Sequence, residues 1–340
     1  MVNINKSYID GFWTVNNKRG MGRYVEMFAK TNNKNLVNLA LSNLLPKVIV
    51  YIIYIFWEQL FLQISVKIKG GDEIIYAYNS PPIFNFTNLT THLVIHDLIF
   101  LEKQSNANLA LRLMNLYRRI ALSFGLKHVR TIYFVSNTIA KKFDEAYISR
   151  ANKIVVYNKI QLSNYSLISE DTSPFEKSKD LNICVITGMS PNKNIDYMLS
   201  LAQHFHLMDM PITFHLIGVQ KSDVRVTYPN ILIYENVDEI QKNNILGNSD
   251  FLLFPSLEEG FGIPLIEAGV LKIPILCSDI TIFREICGSG ALFFNPEKIQ
   301  DCIAKIEGLI KLKQKDQTYT SDTTRKINQF YKKCIKKYVF

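Results

Sequence analysis

No two cysteines in this chain stand as a Cys-x-x-Cys pair, and the five present (Cys184, Cys277, Cys287, Cys302, Cys334) are an odd number. That argues against a disulfide framework or a zinc site and for a reducing compartment. No secretory leader is expected, because "MVNINKSYIDGFW" has no apolar stretch leading to a small-residue cleavage site. No low-complexity tract and no short repeat occurs. Long apolar runs are scarce. The most tempting, "VIVYIIYIFW" at residues 48–57, is preceded by Lys47 and followed by Glu58 and Gln59. About ten residues is half of what a bilayer requires, so it reads as a helix docked in a core or half-sunk in a membrane interface. No Ser-His-Asp or Cys-His arrangement stands out.

What remains is a globular composition, 48% hydrophobic and 20% charged over 340 residues. A chain of that size is expected to form two domains of roughly 150 to 170 residues. Lysine and arginine number 39 against 30 aspartates and glutamates, a net charge of +9, which points to an anionic partner. Nucleic acid is set aside, since no recognised module and no aromatic-basic interleaving occurs. A membrane surface or a phosphorylated substrate remains.

Short apolar runs at 2–5, 36–41, 73–78, 92–96, 131–136 and 153–158 read as strands, separated by helical periodicity such as "NLALRLMNLYRRIALSFG" at 108–125. The polar stretch at 163–180 reads as a linker. The alternation then restarts at 182–188, 213–218, 230–235, 251–256, 274–278 and 291–296. Strands alternating with helices imply parallel sheets. The expected fold is α/β, with two Rossmann-like doubly wound domains facing across a cleft onto which the strand carboxyl ends open. The boundaries are 1–165, a linker at 166–181, 182–322, and a closing helix at 323–340. In that helix Ile327, Phe330, Tyr331, Cys334, Ile335 and Tyr338 share one face, and Lys332, Lys333, Lys336 and Lys337 the other. Two readings stand together: packing back on the first domain, and contact with anionic lipid.

"PSLEEGFGIPLIEA", residues 255–268, follows the apolar run "FLLF" and carries Pro264. It reads as strand, Gly-rich loop and helix start, since proline suits a first helical turn. Glu259 falls in the loop and Glu267 in the first turn of the helix, both facing a ligand at the strand's end. Gly20 and Gly22 in "NNKRGMGRYVEMF" lack the third glycine of a dinucleotide fingerprint, Val25 taking its place, so a nicotinamide reading is rejected.

Residues 255–296 closely resemble the donor-site segment of glycosyltransferase family 4, the retaining GT-B enzymes, whose hallmark is two glutamates separated by seven residues. "GMGRY" (20–24), "FWEQL" (56–60), "IHDLIF" (95–100), "FVSNTIAKKF" (134–143) and "ITGMSPNKNIDYML" (186–199) follow that family's order. The resemblance implies a GT-B fold and transfer of a sugar from a nucleotide-diphosphate donor, without a metal or other cofactor. The acceptor would be a glycan or a polyprenyl-diphosphate-linked oligosaccharide in O-antigen or capsule synthesis, reached from the cytoplasmic face of the inner membrane. Departing pyrophosphate gains charge and must meet groups already in place; Lys193, beyond Gly188, is the cation in that position. Glu267 is implied as the ribose ligand. Glu259 would contact donor-sugar hydroxyls or steady positive charge at the anomeric carbon. Gly260, Phe261 and Gly262 form the donor loop, Gly20 and Gly22 a second loop beside the diphosphate, and Arg23 either reaches phosphate or lies at the surface. His96 would hydrogen-bond the donor sugar or position the acceptor hydroxyl. Met189 and Asn192 stand where the family often has arginine, which leaves open a degenerate member that binds nucleotide sugar or partners another transferase.

Overall fold

The structure, a computed structural model, describes residues 6–16, 20–42, 44–102, 109–165, 180–314 and 321–339. The chain divides into two units, residues 1–158 and 159–340. The expected linker at 166–181 lies almost wholly outside the described residues, as does the strand expected at 2–5.

The first unit is built on six parallel strands: β1 (Ser7–Asp10), β2 (Asn35–Val37), β3 (Glu73–Tyr76), β4 (Thr90–Ile95), β5 (Val129–Phe134) and β6 (Asn152–Val155). Their order is β2-β1-β3-β4-β5-β6. The helices are α1 (Phe12–Asn16), α2 (Gly20–Thr31), α3 (Lys47–Phe56), α4 (Leu62–Ile68), α5 (Leu109–Gly125) and α6 (Asn137–Ala146). Central strands such as "TTHLVI" are buried along almost their whole length because helices cover both faces of a parallel sheet. The first strand among the described residues is "SYID". It escapes a hydrophobicity reading because Asp10 ends it, yet Asp10 is fully buried.

Helix α3 does not stop at residue 57. A single π-helical turn, Trp57–Phe61, joins it to α4, so one helical run covers Lys47–Ile68, 22 residues that include an 18-residue window of mean hydropathy 1.6. The run is therefore long and apolar enough to cross a membrane, which corrects the ten-residue reading. Glu58, taken from the sequence as the polar end of the run, is instead wholly buried. It accepts hydrogen bonds from Tyr54 Oη (2.5 Å), Ser80 Oγ (2.7 Å) and Tyr117 Oη. The wide turn brings Trp57 inward as well, and its Nε1 donates to Asp10 Oδ1 at 3.0 Å. Such turns are uncommon and occur mostly as single-turn bulges inside α-helices.

Two buried carboxyls therefore share this core. Burial raises Asp10 to about 7; burial, then the nearby Asp10 charge, raises Glu58 to about 8. In the unfolded chain both titrate near about 4. Between these limits the folded protein keeps protons that the unfolded chain has lost, so stability is greatest on the acid side and falls as pH rises from about 5 to about 8. Glu58→Gln removes one of the two titrating protons and is expected to flatten that decline. Melting temperatures of both proteins at about pH 5.5 and about pH 8 measure it, and parallel curves would refute the assignment.

The second unit repeats the plan with β7 (Leu181–Ile186), β8 (Ile212–Ile217), β9 (Ile231–Tyr234), β10 (Phe251–Phe254), β11 (Ile275–Ser278) and β12 (Leu292–Phe294), all parallel, in the order β12-β11-β10-β7-β8-β9. Helices α7 (Ile195–Leu207), α8 (Glu239–Gly247), α9 (Ile263–Val270), α10 (Thr281–Cys287), α11 (Ile299–Gln314) and α12 (Ser321–Tyr338) complete it. Met198, Leu201 and Phe205 of α7 pack with Phe214 of β8 and Ile306 of α11 in one apolar cluster. The closing helix α12 lies along α9 of its own unit. It buries Phe330, Cys334 and Tyr338. On its basic face, Lys333 Nζ donates to the backbone carbonyls of Glu285 (3.0 Å) and Ile286 (2.5 Å).

Candidate active site

Ligands of open parallel sheets bind beyond the strand carboxyl ends, where the strand order reverses. In the second unit the reversal falls at β7: β8 and β9 extend the sheet on one side, β10 to β12 on the other. The loops leaving β7 and β10 therefore lie side by side, and they carry Lys193 and Glu259. Asparagine amides tie the loops together. Asn192 Nδ2 donates to Glu258 O at 3.0 Å and Asn194 Nδ2 to Pro255 O at 3.2 Å, while Leu257 N donates to Asn192 O at 2.8 Å. Asn192, where the resemblance leads one to expect arginine, is thus a structural tie between loops.

Across this seam Lys193 Nζ lies 2.5 Å from Glu259 Oε1, which also accepts from Ser256 Oγ at 2.8 Å. The two side chains are 27% and 12% exposed, so the pair is sheltered but open to a ligand. Lys193 ends a 3-10 turn, Pro191–Lys193, and Asn194, in left-handed conformation, leads into α7 without a side-chain cap. Helix α9 is likewise entered through Gly262 at φ +100° with no side-chain cap. A Cβ there would be strained by the backbone angle and would sit 3.1 Å from Leu265 Cδ1. The start of α7, which has no side-chain cap, thus follows directly on this ammonium, an arrangement suited to an anion.

Glu267 lies in the second turn of α9 rather than the first, which has no acidic residue. It is 3% exposed. Its Oε1 accepts from Lys242 Nζ at 2.5 Å and from Tyr165 Oη at 3.0 Å. Lys242 also meets Glu239 Oε2 at 3.1 Å. Neither Lys242 nor Tyr165 was anticipated from the sequence. The available signal was positional: Lys242 stands three and four residues before the buried Ile245 and Leu246 of α8, where a helix facing the core would place an apolar residue. Phe261, expected in the donor loop, turns its ring into the core at 4% exposure, 5.8 Å from the ring of Tyr338. Nothing lies within 4 Å of a Cβ built on Gly188, and Gly260 is half-buried in its loop.

In the first unit the order reverses at β1, with β2 on one side and β3 on the other. His96 follows β4 at its carboxyl end and is 6% exposed. Its Nε2 lies 2.7 Å from Ala77 O, which assigns the proton to Nε2 and leaves Nδ1 as an acceptor. The edge of its ring pair with Tyr24 is 4.8 Å between centroids. Burial depresses His96 to about 4, so it is neutral near pH 7 and suited to accept from a hydroxyl rather than to carry charge. Asp97 Oδ1 accepts from Ile99 N at 3.3 Å, a loop-orienting contact. Gly20 and Gly22 do not form a flexible loop: both lie in the first turn of α2, and a Cβ on Gly20 would meet nothing. His215 is held by Tyr234 Oη and Asn182 Oδ1 inside the second sheet, a structural histidine.

Two Rossmann-like α/β units with parallel sheets define the GT-B fold of glycosyltransferases. Residues 169–326 match the family model described as "Glycosyl transferases group 1". Among relatives, the O-antigen chain mannosyltransferase RfbU of Salmonella typhimurium is 24% identical over 275 residues, covering 77% of this chain and 71% of that one. Among solved structures, sucrose-phosphate synthase from Thermosynechococcus elongatus superposes with a TM-score of 0.71 at 10% identity, covering 96% of this chain and 95% of that one. HepE of Anabaena, solved in complex with UDP and glucose, gives 0.70 at 12% identity, covering 98% and 96%.

Proposed function

We propose that this chain is a retaining, metal-independent glycosyltransferase that moves a sugar from a nucleotide-diphosphate donor to a glycan or lipid-linked oligosaccharide during O-antigen synthesis, working from the cytoplasmic face of the inner membrane. The observation that carries the reading is the Lys193–Glu259 contact at the strand-order reversal of the second unit, with Glu267 on the adjoining helix. Likeness to RfbU, named for mannosyl transfer to an O-antigen chain, makes a mannosyl donor the first to test.

The residues suit the steps such a transfer requires. As the glycosidic bond breaks, the anomeric carbon gains positive charge and the diphosphate negative charge. The Lys193 ammonium, presented with the N–H groups at the start of α7, would hold the diphosphate without having to reorganise. Glu259 would give up part of its contact with Lys193 to the ligand and turn its carboxylate to the sugar. Glu267, whose Oε1 is already occupied by Lys242 and Tyr165, would accept ribose hydroxyls through Oε2. His96, neutral and with Nδ1 as an acceptor, would orient a sugar hydroxyl rather than remove a proton from it.

Binding to the folded state alone raises the melting temperature by mass action. In a panel of UDP-, GDP- and TDP-sugars at about 100 times Kd, the true donor should stabilise the protein by about 2.7 kcal/mol, and Glu267→Ala should remove the effect. A panel in which no nucleotide sugar shifts the protein would overturn the reading. A donor that binds and is never transferred or hydrolysed would favour a degenerate, partner-binding member.

A further inference from the structure

The outward faces of two neighbouring helices in the first unit are apolar. Along the run Lys47–Ile68, Ile49, Ile52, Phe56, Leu60 and Ile64 recur three and four residues apart and are 41% to 54% exposed. Along α5, Leu109, Leu113, Leu116, Ile120 and Phe124 repeat at similar spacing and are 40% to 72% exposed. The helices are pinned side by side, since Gln59 Nε2 donates to Tyr117 Oη at 2.7 Å and Tyr117 donates to Glu58. Phe56 and Leu60 flank this contact on one helix, Leu113, Leu116 and Ile120 on the other, so the two stripes adjoin. The loop carrying Phe84, itself 72% exposed, is fastened to the same run through Gln63 Nε2, which donates to Phe84 O at 2.9 Å.

Charge singles out the partner. Glu58 is the only acidic residue in either helix, and it is buried. No aspartate or glutamate occurs anywhere from residue 103 to residue 143. Exposed Lys47, Lys67 and Lys69 mark the ends of the first helical run, and exposed Lys127 follows the second. A wide apolar face whose only exposed charges are cationic complements anionic lipid headgroups over an acyl boundary. Spanning is ruled out by the other face of the same run, where Tyr54, Trp57 and Glu58 are locked into the core. We propose that this two-helix face docks the protein in the plane of an anionic bilayer, with the stripes in the interface and the lysines among the headgroups. The proposal gives the membrane location suggested above a surface, but it involves no donor and no turnover, so it stands or falls separately from the catalytic reading.

The test is co-sedimentation of the full chain with phosphatidylglycerol-containing vesicles, and with phosphatidylcholine vesicles as control, in the absence of donor and acceptor. Wild type should pellet with the anionic vesicles and be released at high salt. A Lys47→Gln, Lys67→Gln, Lys69→Gln variant should bind roughly 100-fold more weakly, at about 1 kcal/mol per surface lysine. A Phe56→Ser, Leu116→Ser variant should lose at least about tenfold on either lipid. Both should keep the wild-type melting temperature, because the altered side chains are exposed. Absence of anionic-vesicle binding, or variants that bind as wild type does, would overturn the proposal. So would a wild-type dimer that Phe56→Ser, Leu116→Ser dissociates while vesicles capture nothing, since the face would then be a self-association surface.

Discussion

Lys193→Ala should reduce donor turnover by roughly 10²–10³-fold, the loss that follows removal of one preorganised charge from a transition state. The melting temperature should move little, since the Lys193 side chain is 27% exposed and its ion pair is only partly sheltered. The competing possibility is that Lys193 exists to neutralise Glu259, its neighbour at 2.5 Å. Combining Lys193→Ala with Glu259→Gln separates the two. If the lysine is only a counter-charge, the amide needs none and activity returns toward that of Glu259→Gln alone. If the ammonium meets the departing diphosphate, the double variant is at least as slow as Lys193→Ala. Single-turnover kinetics with saturating donor reads this directly, and recovery in the double variant would remove Lys193 from the chemistry.

Lys242→Met should be the most destabilising single substitution in the second unit's site, at about 3–5 kcal/mol, because it leaves the Glu267 carboxylate buried with its cation gone. The two side chains are 9% and 4% exposed, so neither gains water in exchange. The remaining hydroxyl of Tyr165, 3.0 Å from Oε1, replaces only part of the interaction. Pairing Lys242→Met with Glu267→Met should recover most of that stability, because an apolar pair of similar volume replaces a buried ion pair at little cost. Donor binding should not return with it, since the carboxylate that would hold the ribose is gone. Denaturant midpoints give the first quantity and donor-induced thermal shifts the second. A double variant that is stable and still binds donor would show that Glu267 serves the fold alone.

Much of the architecture was legible along the chain. Runs such as "HLVIH", "TFHLIG" and "FLLF" became β4, β8 and β10 because a strand covered on both faces is mostly apolar. Helix α5 was readable over its whole length from its period. The donor-loop motif was visible as Glu259 and Glu267 around two glycines and Pro264. Polar residues placed in the core were misread. "SYID" was passed over as a strand because it ends in Asp10, and Glu58 was taken as the end of an apolar run that continues ten residues further, to Ile68. Both carboxyls sit at zero exposure: Asp10 Oδ1 accepts from Trp57, and Glu58 accepts from Tyr54 one turn away and from Ser80 and Tyr117 of distant segments. Hydropathy counts a charge as a surface marker and has no access to a partner 47 or 59 residues away.

By itself, then, the sequence determined the alternation of strands and helices, the parallel sheets and the place of the glutamate loop at a strand's carboxyl end. These follow from side-chain period and from glycine and proline geometry, which act over a few residues. Only the tertiary structure decided that β10 lies beside β7, and with it that Lys193 meets Glu259, 66 positions further along the chain. It also decided that Lys242 neutralises Glu267, and that two helices turn apolar faces outward together. Each of these depends on which strands and helices become neighbours when the whole core is buried at once, and no local period encodes that choice.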